Sequence, residues 1–200
     1  AIMGGAKISD KIGVVDTILE RADRLLVGGG MANTFLRASG LEMGRSLVDE
    51  GGLEEARRFL DAAGDRLVLP VDAIVADRVS VDAANAAVGL DEIPEDWAVV
   101  DVGPRTVERF RDALRDAKTV VWNGPLGVFE MEPFAKGTLA IAHTLAGLDA
   151  VTVIGGGDTA AAVEQASVAG KMTHVSTGGG AFLELLEGRE LPGVAALEDA

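Results

Sequence analysis

The segment VTVIGGGDTAA, residues 151–161, runs from an apolar stretch through three glycines into a helical pattern. The same order recurs in LLVGGGMANTF (25–35) and in HVSTGGGAFLELL (174–186). Two further apolar runs lead into the glycine-containing loops GGAKISDK (4–11) and GPLGVFE (124–130). A strand, a tight glycine loop and a helix in succession are typical of α/β folds with parallel strands. We therefore interpret these five segments as strand ends gathered along one edge of a sheet.

Short apolar runs alternate with helical patterns along the whole chain. Most runs are rich in Val, Ile and Leu without polar alternation, as expected of strands buried on both faces. The predicted strands are residues 1–3, 24–27, 66–69, 73–76, 98–102, 119–122, 151–154 and 172–175. The predicted helices include residues 105–116, 137–147, 158–169 and 181–187. This order predicts a three-layer α/β/α, Rossmann-like fold with a mainly parallel sheet of about six strands. The stretch 77–96 fits this pattern least, and we expect a hairpin or short strands there.

Composition favours one globular domain over residues 1–200, with 48% hydrophobic and 25% charged residues. The absence of cysteine excludes disulfides and thiol catalysis. No apolar run reaches the roughly 18 residues of a membrane span, and no signal-peptide pattern is visible. We therefore expect a cytoplasmic protein with no membrane partner. Because the chain opens on Ala1 directly within a strand, we also expect it to be part of a longer protein.

The net charge of −14 argues against a nucleic-acid partner, because most of the surface repels a phosphate backbone. An anionic ligand would need a local pocket, a cation such as Mg²⁺, or both. Glycine loops offer such a pocket, since backbone N–H groups can approach a ligand there and the following helix adds the positive end of its dipole. Several such loops along one edge favour a phosphate-bearing ligand, although glycine also serves in tight turns.

Two of the five lysines, Lys7 and Lys11, fall within the first glycine segment. Lys11 lies at a predicted helix start, where a cation opposes the helix dipole unless an anion is bound beside it. The alternative is that both are solvated surface lysines. Asp158, after the second glycine triplet, is either a helix N-cap or a ligand of Mg²⁺ beside phosphate oxygens. Glu130 either accepts hydrogen bonds from ribose hydroxyls or is an ordinary surface glutamate.

One common nucleotide-binding motif is absent from the sequence, and another is present only in part. No G-x-x-x-x-G-K-[ST] pattern is present, which excludes a P-loop NTPase of the Walker type. The segment GGGDTA (155–160) matches the relaxed dinucleotide fingerprint. The next strand, however, ends at HVS (174–176), without the acidic residue that binds the NAD ribose. An NAD(P)-dependent oxidoreductase remains an alternative, as does a nucleotide-binding module without catalytic activity.

Six segments together closely resemble the phosphoglycerate kinase family. They are GGAKISDK (4–11), GGGMANTFL (28–36), LPVDAIVAD (69–77), VVWNGPLGVFE (120–130), IGGGDTAAAVE (154–164) and HVSTGGGAFLELLEGRELPGV (174–194). They follow one another in order along essentially the whole chain, but resemble only the carboxyl-terminal, nucleotide-binding half of that family. The resemblance implies half of a glycolytic kinase that interconverts Mg·ADP and 1,3-bisphosphoglycerate with Mg·ATP and 3-phosphoglycerate.

The resemblance also implies roles for individual residues. Lys11 would contact the nucleotide phosphates, Lys7 the transferring phosphoryl group, and Asp158 Mg²⁺. The other implied nucleotide contacts are Thr159, Gly156 and Gly157 at the phosphates, Asn123 near them, Glu130 at the ribose, and Gly5, Gly29 and Gly30 along the adenine slot. The implied donors to the phosphoryl group in the transition state are the N–H groups of Gly178, Gly179 and Gly180.

Two departures from the family pattern affect what we expect. Val99 stands where many members have glycine, close to the adenine slot, so the slot could be narrower here. The amino-terminal domain, which in the family carries the glycerate site and a catalytic arginine, is missing from this sequence. We therefore expect a monomer that binds Mg·ADP or Mg·ATP but does not transfer phosphate. Contact with 3-phosphoglycerate or 1,3-bisphosphoglycerate would come only through the missing domain.

Overall fold

The computed structural model describes residues 1–196 of the chain. Its strands are β1 (Ile2–Met3), β2 (Leu25–Val27), β3 (Leu67–Val68), β4 (Asp72–Ala76), β5 (Asn85–Gly89), β6 (Ala98–Val102), β7 (Thr119–Asn123), β8 (Val151–Gly155) and β9 (His174–Ser176). Its helices are α1 (Ile12–Arg21), α2 (Gly29–Ala38), α3 (Leu53–Ala63), α4 (Pro104–Leu114), α5 (Lys136–Leu145), α6 (Gly157–Gln165), α7 (Gly179–Leu186) and α8 (Pro192–Ala195). A 3₁₀ turn at Ser9–Lys11 precedes α1.

Six strands form one parallel sheet in the order β3-β2-β1-β7-β8-β9. This confirms the predicted six-stranded parallel sheet. The strand order reverses between β1 and β7, where Met3 pairs with Asn123. In open α/β sheets, ligands bind beyond the carboxyl ends of the strands at such a reversal. The loops 4–11 and 124–130 leave the sheet at this point.

Helices cover both faces of the sheet and complete the predicted three layers. On one face α1, α2 and α3 pack against the sheet around Val15, Phe35 and Phe59, all fully buried. On the other face α4, α5 and α6 enclose a core that includes Phe110 and Trp122. Neighbouring residues of one strand serve opposite faces, as strand geometry requires. The central parallel strands β1, β2, β7 and β8 are therefore largely buried on both sides, which explains their apolar sequences, whereas the edge strand β9 is partly exposed.

Two of the eight predicted strands do not belong to the parallel sheet. The runs 73–76 and 98–102 lie in β4 and β6 of a separate three-stranded antiparallel sheet with the order β5-β4-β6. The third strand, β5, pairs with β4 and accounts for the hairpin expected between residues 77 and 96. No helix lies between β4 and β6. Parallel neighbours need a long crossover, whereas antiparallel ones do not.

The helix predictions agree with the structure except at some ends. Pro104 occupies the first position of α4, one residue before the predicted start at residue 105. Helix α6 ends at Gln165 rather than near residue 169, because Ser167 adopts a positive φ of 57° and a 3₁₀ turn follows at Ala169–Lys171. No helix within residues 1–196 has the length and apolar character needed to cross a membrane.

Candidate functional site

The glycine loops meet at the carboxyl ends of the central strands. Gly4 N–H donates to Asn123 O at 2.9 Å, and Gly5 N–H donates to Pro125 O at 3.1 Å. Gly5 O in turn accepts from Met31 N–H, in the first turn of α2, at 3.0 Å. The loop after β1 is thus fastened between the loop after β7 and the start of α2.

Close backbone packing explains the glycines on this side of the site. A Cβ on Gly29 would lie 2.9 Å from Gly5 N, and a Cβ on Gly30 would lie 2.6 Å from Ala6 O. Neither approach is open to a residue with a side chain. These glycines are therefore required by the meeting of two loops, whatever else they contact.

Lys11 brings a cation to the junction of these loops. Its Nζ donates to Gly4 O and to Asn123 Oδ1, each at 2.8 Å. Both acceptors, a backbone carbonyl and a side-chain amide, are uncharged. Burial lowers the pKa of Lys11, and the nearby charges of Asp10 and Asp158 oppose that shift. A half-buried ammonium without a carboxylate hydrogen-bonded to it would be stabilised by an anion. This is the arrangement expected of a phosphate site.

Asn123 connects Lys11 to the next loop of the sheet. While its Oδ1 accepts from Lys11, its Nδ2 donates to Gly155 O at 2.8 Å. The following residue, Gly124, donates its N–H to Thr159 Oγ1 at 2.7 Å. Asn123 and Thr159 are both buried, so these bonds are shielded from water. The ends of β1, β7 and β8 and the start of α6 therefore form one hydrogen-bonded unit.

The start of α6 is open for a ligand. Gly156 stands at the N-cap with a φ of +95°, and no side chain caps the helix. Asp158 lies in the first turn and is exposed, so its interpretation as the N-cap is wrong. The first N–H groups of a helix lack partners within it. A Cβ on Gly157 would meet nothing within 4 Å. The first N–H groups of α6 and the exposed Asp158 therefore lie together at the open end of this helix.

The third glycine triplet lies directly beside the second. A Cβ on Gly179 would be 3.4 Å from Gly156 Cα, and Gly156 N–H donates to Ser176 O at 3.0 Å. A Cβ on Gly180 would meet nothing within 4 Å, and Gly178 is exposed at the N-cap of α7. The N-termini of α6 and α7 therefore converge on the same space. Two helix starts there favour a ligand with several negative oxygens.

Asp158 fits a magnesium ion that is shared with a phosphate ligand. Within residues 1–196, no group of three histidine or acidic side chains is arranged to hold a metal. Mg²⁺ commonly takes one or two carboxylates and completes its shell with substrate phosphates and water. A single exposed carboxylate next to unpaired N–H groups meets that requirement. The site therefore suits Mg²⁺ only together with a phosphate.

Lys7 and Glu130 lie outside this hydrogen-bonded unit. Both are exposed, Lys7 on the loop after β1 and Glu130 at the end of the loop after β7. Leu47 is a residue that the sequence did not indicate. Its side chain is 55% exposed, and its Cδ2 would lie 3.1 Å from a Cβ on Gly30. An exposed leucine in a loop gives no signal in the sequence, yet here it adds an apolar surface beside the glycines.

Val99 lies on β6 of the small sheet and contacts the loop after α2. Its N–H donates to Ser46 Oγ at 2.8 Å. The space between Val99, Gly29 and Leu126 is a cavity of about 10 Å³, enough for one water at most. An aromatic base does not fit inside it.

A cavity of about 660 Å³ lies at the opposite edge of the sheet, around Ala1 and the start of β7. Its walls come from the ends of α1, α4 and α7 and from the amino ends of strands. It contains neither glycine loops nor helix N-termini, and parallel sheets bind their ligands at the other edge. The candidate site is therefore the edge of the sheet that carries the glycine loops and Lys11.

Comparison with known proteins identifies the relatives of this chain. The sequence model of the family "Phosphoglycerate kinase" matches residues 1–189. Phosphoglycerate kinase from Chloroflexus aurantiacus is 57% identical over 205 residues, and that from Limosilactobacillus reuteri is 56% identical over 200. All of this chain is covered in both, but only 51% and 50% of the relatives.

A solved structure also identifies phosphoglycerate kinase as a relative. Phosphoglycerate kinase from Coxiella burnetii superposes with a TM-score of 0.93 at 44% identity, covering 97% of this chain and 51% of its own. The chain thus spans about half the length of the relatives it matches. The order of strands, the glycine loops and the long sequence match agree with one another, and we conclude that the chain belongs to the phosphoglycerate kinase family.

Proposed function

We propose that residues 1–200 form the nucleotide-binding, carboxyl-terminal domain of a phosphoglycerate kinase and bind Mg·ADP and Mg·ATP. The observation that carries the proposal is the convergence of Lys11 with the N-termini of α6 and α7 at the carboxyl ends of the central strands. A nucleotide would place its phosphates in this space. The surrounding surface is acidic, so this local set of donors is what would attract a polyanion.

The phosphates would be held from two sides. On one side Lys11 supplies a charge that Asn123 orients through its Oδ1. On the other side the unpaired N–H groups at Gly157 and Asp158 supply dipoles, while Thr159 holds the adjoining loop through its hydroxyl oxygen. Bound Mg²⁺ would neutralise charge between phosphate groups, and the Asp158 carboxylate would ligate it.

The adenine would lie outside the closed space next to Val99. We propose that it packs between the backbone of Gly29 and Gly30 and the exposed side chain of Leu47, with Gly5 at its inner edge. Glu130, exposed at the end of its loop, would accept hydrogen bonds from the ribose hydroxyls. The apolar slot would contribute most to binding the base, whereas the charged groups would orient the phosphates.

In the reaction of the whole family, ADP takes a phosphoryl group from 1,3-bisphosphoglycerate. Phosphoryl transfer depends on positioning and on stabilising charge rather than on a covalent nucleophile. The residues of this chain suited to that task are Lys7 and the N–H groups of Gly178, Gly179 and Gly180, which would face the phosphoryl group as charge develops. The glycerate would be held by a separate amino-terminal domain, so this chain alone should not turn over.

A nucleotide-binding module without catalytic activity is the second candidate, and the same site would support it. A dinucleotide oxidoreductase is not favoured, because β9 ends at Ser176 without an acidic residue for the NAD ribose. Since the relatives are about twice as long, activity and partners belong to the whole protein. We further propose a cytoplasmic, monomeric protein.

Calorimetric titration with Mg·ADP and, separately, with NAD tests the proposed site. We expect Mg·ADP to bind with a dissociation constant between about 1 µM and 1 mM, and NAD not to bind. Lys11→Ala should weaken binding at least about tenfold, because charge-assisted hydrogen bonds to phosphate are lost. Lys171→Ala is the matched control, since Lys171 is an exposed lysine on a distant 3₁₀ turn.

Different results would contradict the proposed nucleotide site and the proposed need for a second domain. A folded chain that binds no Mg·ADP, or a Lys11→Ala variant that binds as well as Lys171→Ala, would overturn the proposed site. A coupled assay with 3-phosphoglycerate and Mg·ATP tests the second statement. Robust turnover by the 200-residue chain would contradict the proposal that another domain must supply the glycerate site.

A further inference from the structure

Asp49, which lies far from the glycine loops in sequence, contacts the segment that carries Lys7. The Ser9 N–H donates to Asp49 Oδ2 at 3.0 Å. Ser9 stands two residues after Lys7, at the start of the 3₁₀ turn that leads into α1. Asp49 comes from the loop between α2 and α3, so the bond joins two parts of the chain separated by 40 residues.

The backbone of Asp49 is connected through Thr34 to Gly30, in the glycine triplet after β2. Its N–H donates to Thr34 Oγ1 at 3.0 Å, and the Thr34 hydroxyl donates to Gly30 O at 3.1 Å. Thr34 is fully buried, so this path is protected from water. A continuous chain of hydrogen bonds therefore leads from the proposed adenine side of the site, through Asp49, to the segment of Lys7.

Packing around Gly52 and Ile8 limits the movement of the contact between Asp49 and Ser9. Gly52 N–H donates to Asp49 O at 2.9 Å, and a Cβ on Gly52 would overlap the Ile8 side chain. Ile8, next to Lys7, is fully buried. The side chain and N–H of Ser9, and beyond them the charge of Lys7, lower the pKa of Asp49. The carboxylate is therefore ionised at neutral pH and in the electrostatic range of Lys7.

The two lysines differ in how they are held. Lys11 has its own anchors, the oxygens of Gly4 and Asn123. Lys7 is exposed, and its position depends on the course of the backbone around it. Resting on the nucleotide site proposed above, we propose that Asp49 is a positioning residue, which holds the Ala6–Ser9 backbone so that the Lys7 ammonium faces the terminal phosphate of a bound nucleoside triphosphate.

This role differs from a general contribution to folding. If Asp49 only stabilised the fold, its loss would weaken all nucleotides alike or lower stability alone. If it positions Lys7, the loss would fall on the phosphate that Lys7 contacts. The ratio of the dissociation constants for Mg·ADP and Mg·ATP isolates that phosphate, because the two ligands share every other group.

The experiment compares Asp49→Ala, Asp49→Asn and the control Asp61→Ala, an exposed carboxylate on α3. We expect Asp49→Ala to weaken Mg·ATP about fivefold and Mg·ADP less than about twofold. Asp49→Asn keeps an acceptor for the Ser9 N–H and should recover most of the loss. In a Lys7→Ala background, Asp49→Ala should leave the ratio unchanged, because the group it positions is gone.

Hydrogen exchange of the Ser9 amide in the nucleotide-free chain gives a readout that needs no ligand. We expect the amide to be protected in the wild type and in Asp49→Asn, and to exchange faster in Asp49→Ala. Equal exchange in all three, equal weakening of both nucleotides, or an undiminished effect in the Lys7→Ala background would overturn the role of Asp49. If the wild type binds neither nucleotide, the proposed nucleotide site itself is wrong, and the role of Asp49 is overturned with it.

Discussion

Asp101 is the most informative residue for a test of stability. It lies on β6, is 1% exposed, and accepts from Val102 N–H at 2.9 Å and from Gly137 N–H at 2.7 Å. Burial raises the pKa of Asp101 from 3.8 to about 7, against the opposing effects of these two N–H groups and of Lys136. A carboxyl group deep in the protein is thus about half protonated near pH 7, whereas an ordinary aspartate is fully ionised there.

The raised pKa has a definite consequence for stability. The folded state binds the Asp101 proton more tightly than the unfolded state, so this contribution is fully present below about pH 4 and is lost as pH rises to about 7. The shift of about three pKa units corresponds to about 4 kcal/mol in total. Between pH 5 and pH 8 the loss amounts to about 3 kcal/mol.

Asp101→Asn removes the titration and keeps the shape of the side chain. We expect the free energy of unfolding of the wild type, relative to the variant, to fall by about 3 kcal/mol from pH 5 to pH 8. Urea unfolding at the two pH values, followed by the fluorescence of the buried Trp122, measures this difference. Burial also lowers the pKa of the Ala1 amino group to about 6, but that effect is common to both proteins and cancels.

Asp61→Asn, with the same change at an exposed position, serves as the control. It should leave the pH dependence of the wild type unchanged. If Asp101→Asn and wild type change in parallel between pH 5 and pH 8, then Asp101 is ionised in the folded protein. Its hydrogen bonds from the N–H groups of Val102 and Gly137 would then outweigh the cost of burial, contrary to the reasoning above.

Three further predictions concern the glycine loops and the surface. Gly155→Ala should lower the melting temperature by several degrees, because a Cβ there would overlap the ring of Phe182. Scanning calorimetry measures the melting temperature, and an unchanged value would contradict the prediction. Gly157→Ala should leave the melting temperature nearly unchanged but weaken Mg·ADP in a titration, since its Cβ would enter open space at the proposed phosphate position. Raising the NaCl concentration from about 10 mM to about 150 mM should raise the melting temperature. The net charge is −14, and repulsion among the excess acidic groups weakens as the Debye length falls from about 30 to about 8 Å. A lower melting temperature on adding salt would show that specific ion pairs dominate.

Much of the fold could be predicted because the central parallel strands are largely buried on both faces. Their continuous apolar runs stand out against the helices, and the glycine loops mark where each strand ends. The small sheet was not predicted as such, since β4 and β6 are equally apolar and only pairing shows their antiparallel direction. Direction is decided by the connection, and the connecting stretch 77–96 carried the weakest pattern.

Long-range contacts of buried carboxylates could not be predicted from the sequence either. Asp72 accepts from Arg105 N–H at 2.9 Å and from Thr106 N–H at 2.7 Å, and so caps α4 from a distance of 33 residues or more. Asp101 does the same for α5 through Gly137. Asp158 stands at the start of a predicted helix and was one candidate for such a cap, but no side chain caps α6. In this fold the neighbouring sheet supplies the capping groups, and Asp158 is left free for another task.

Some glycines of the site are required by packing within this protein, and others are not. At Gly4, Gly28 and Gly155 a side chain would overlap atoms of this same protein, so packing alone requires glycine. At Gly157 and Gly180 a side chain would meet nothing within 4 Å, and neither residue has a positive φ. Open space alone is a weak argument, because a glycine on a remote turn can also have it. Both of these glycines, however, lie in the first turn of a helix. Gly156, at the start of α6, lies next to Gly179 of α7 and next to Asn123, which accepts a hydrogen bond from Lys11. The space left by their missing side chains is where an anion would gain most from the unpaired N–H groups, which is why we place the phosphates there.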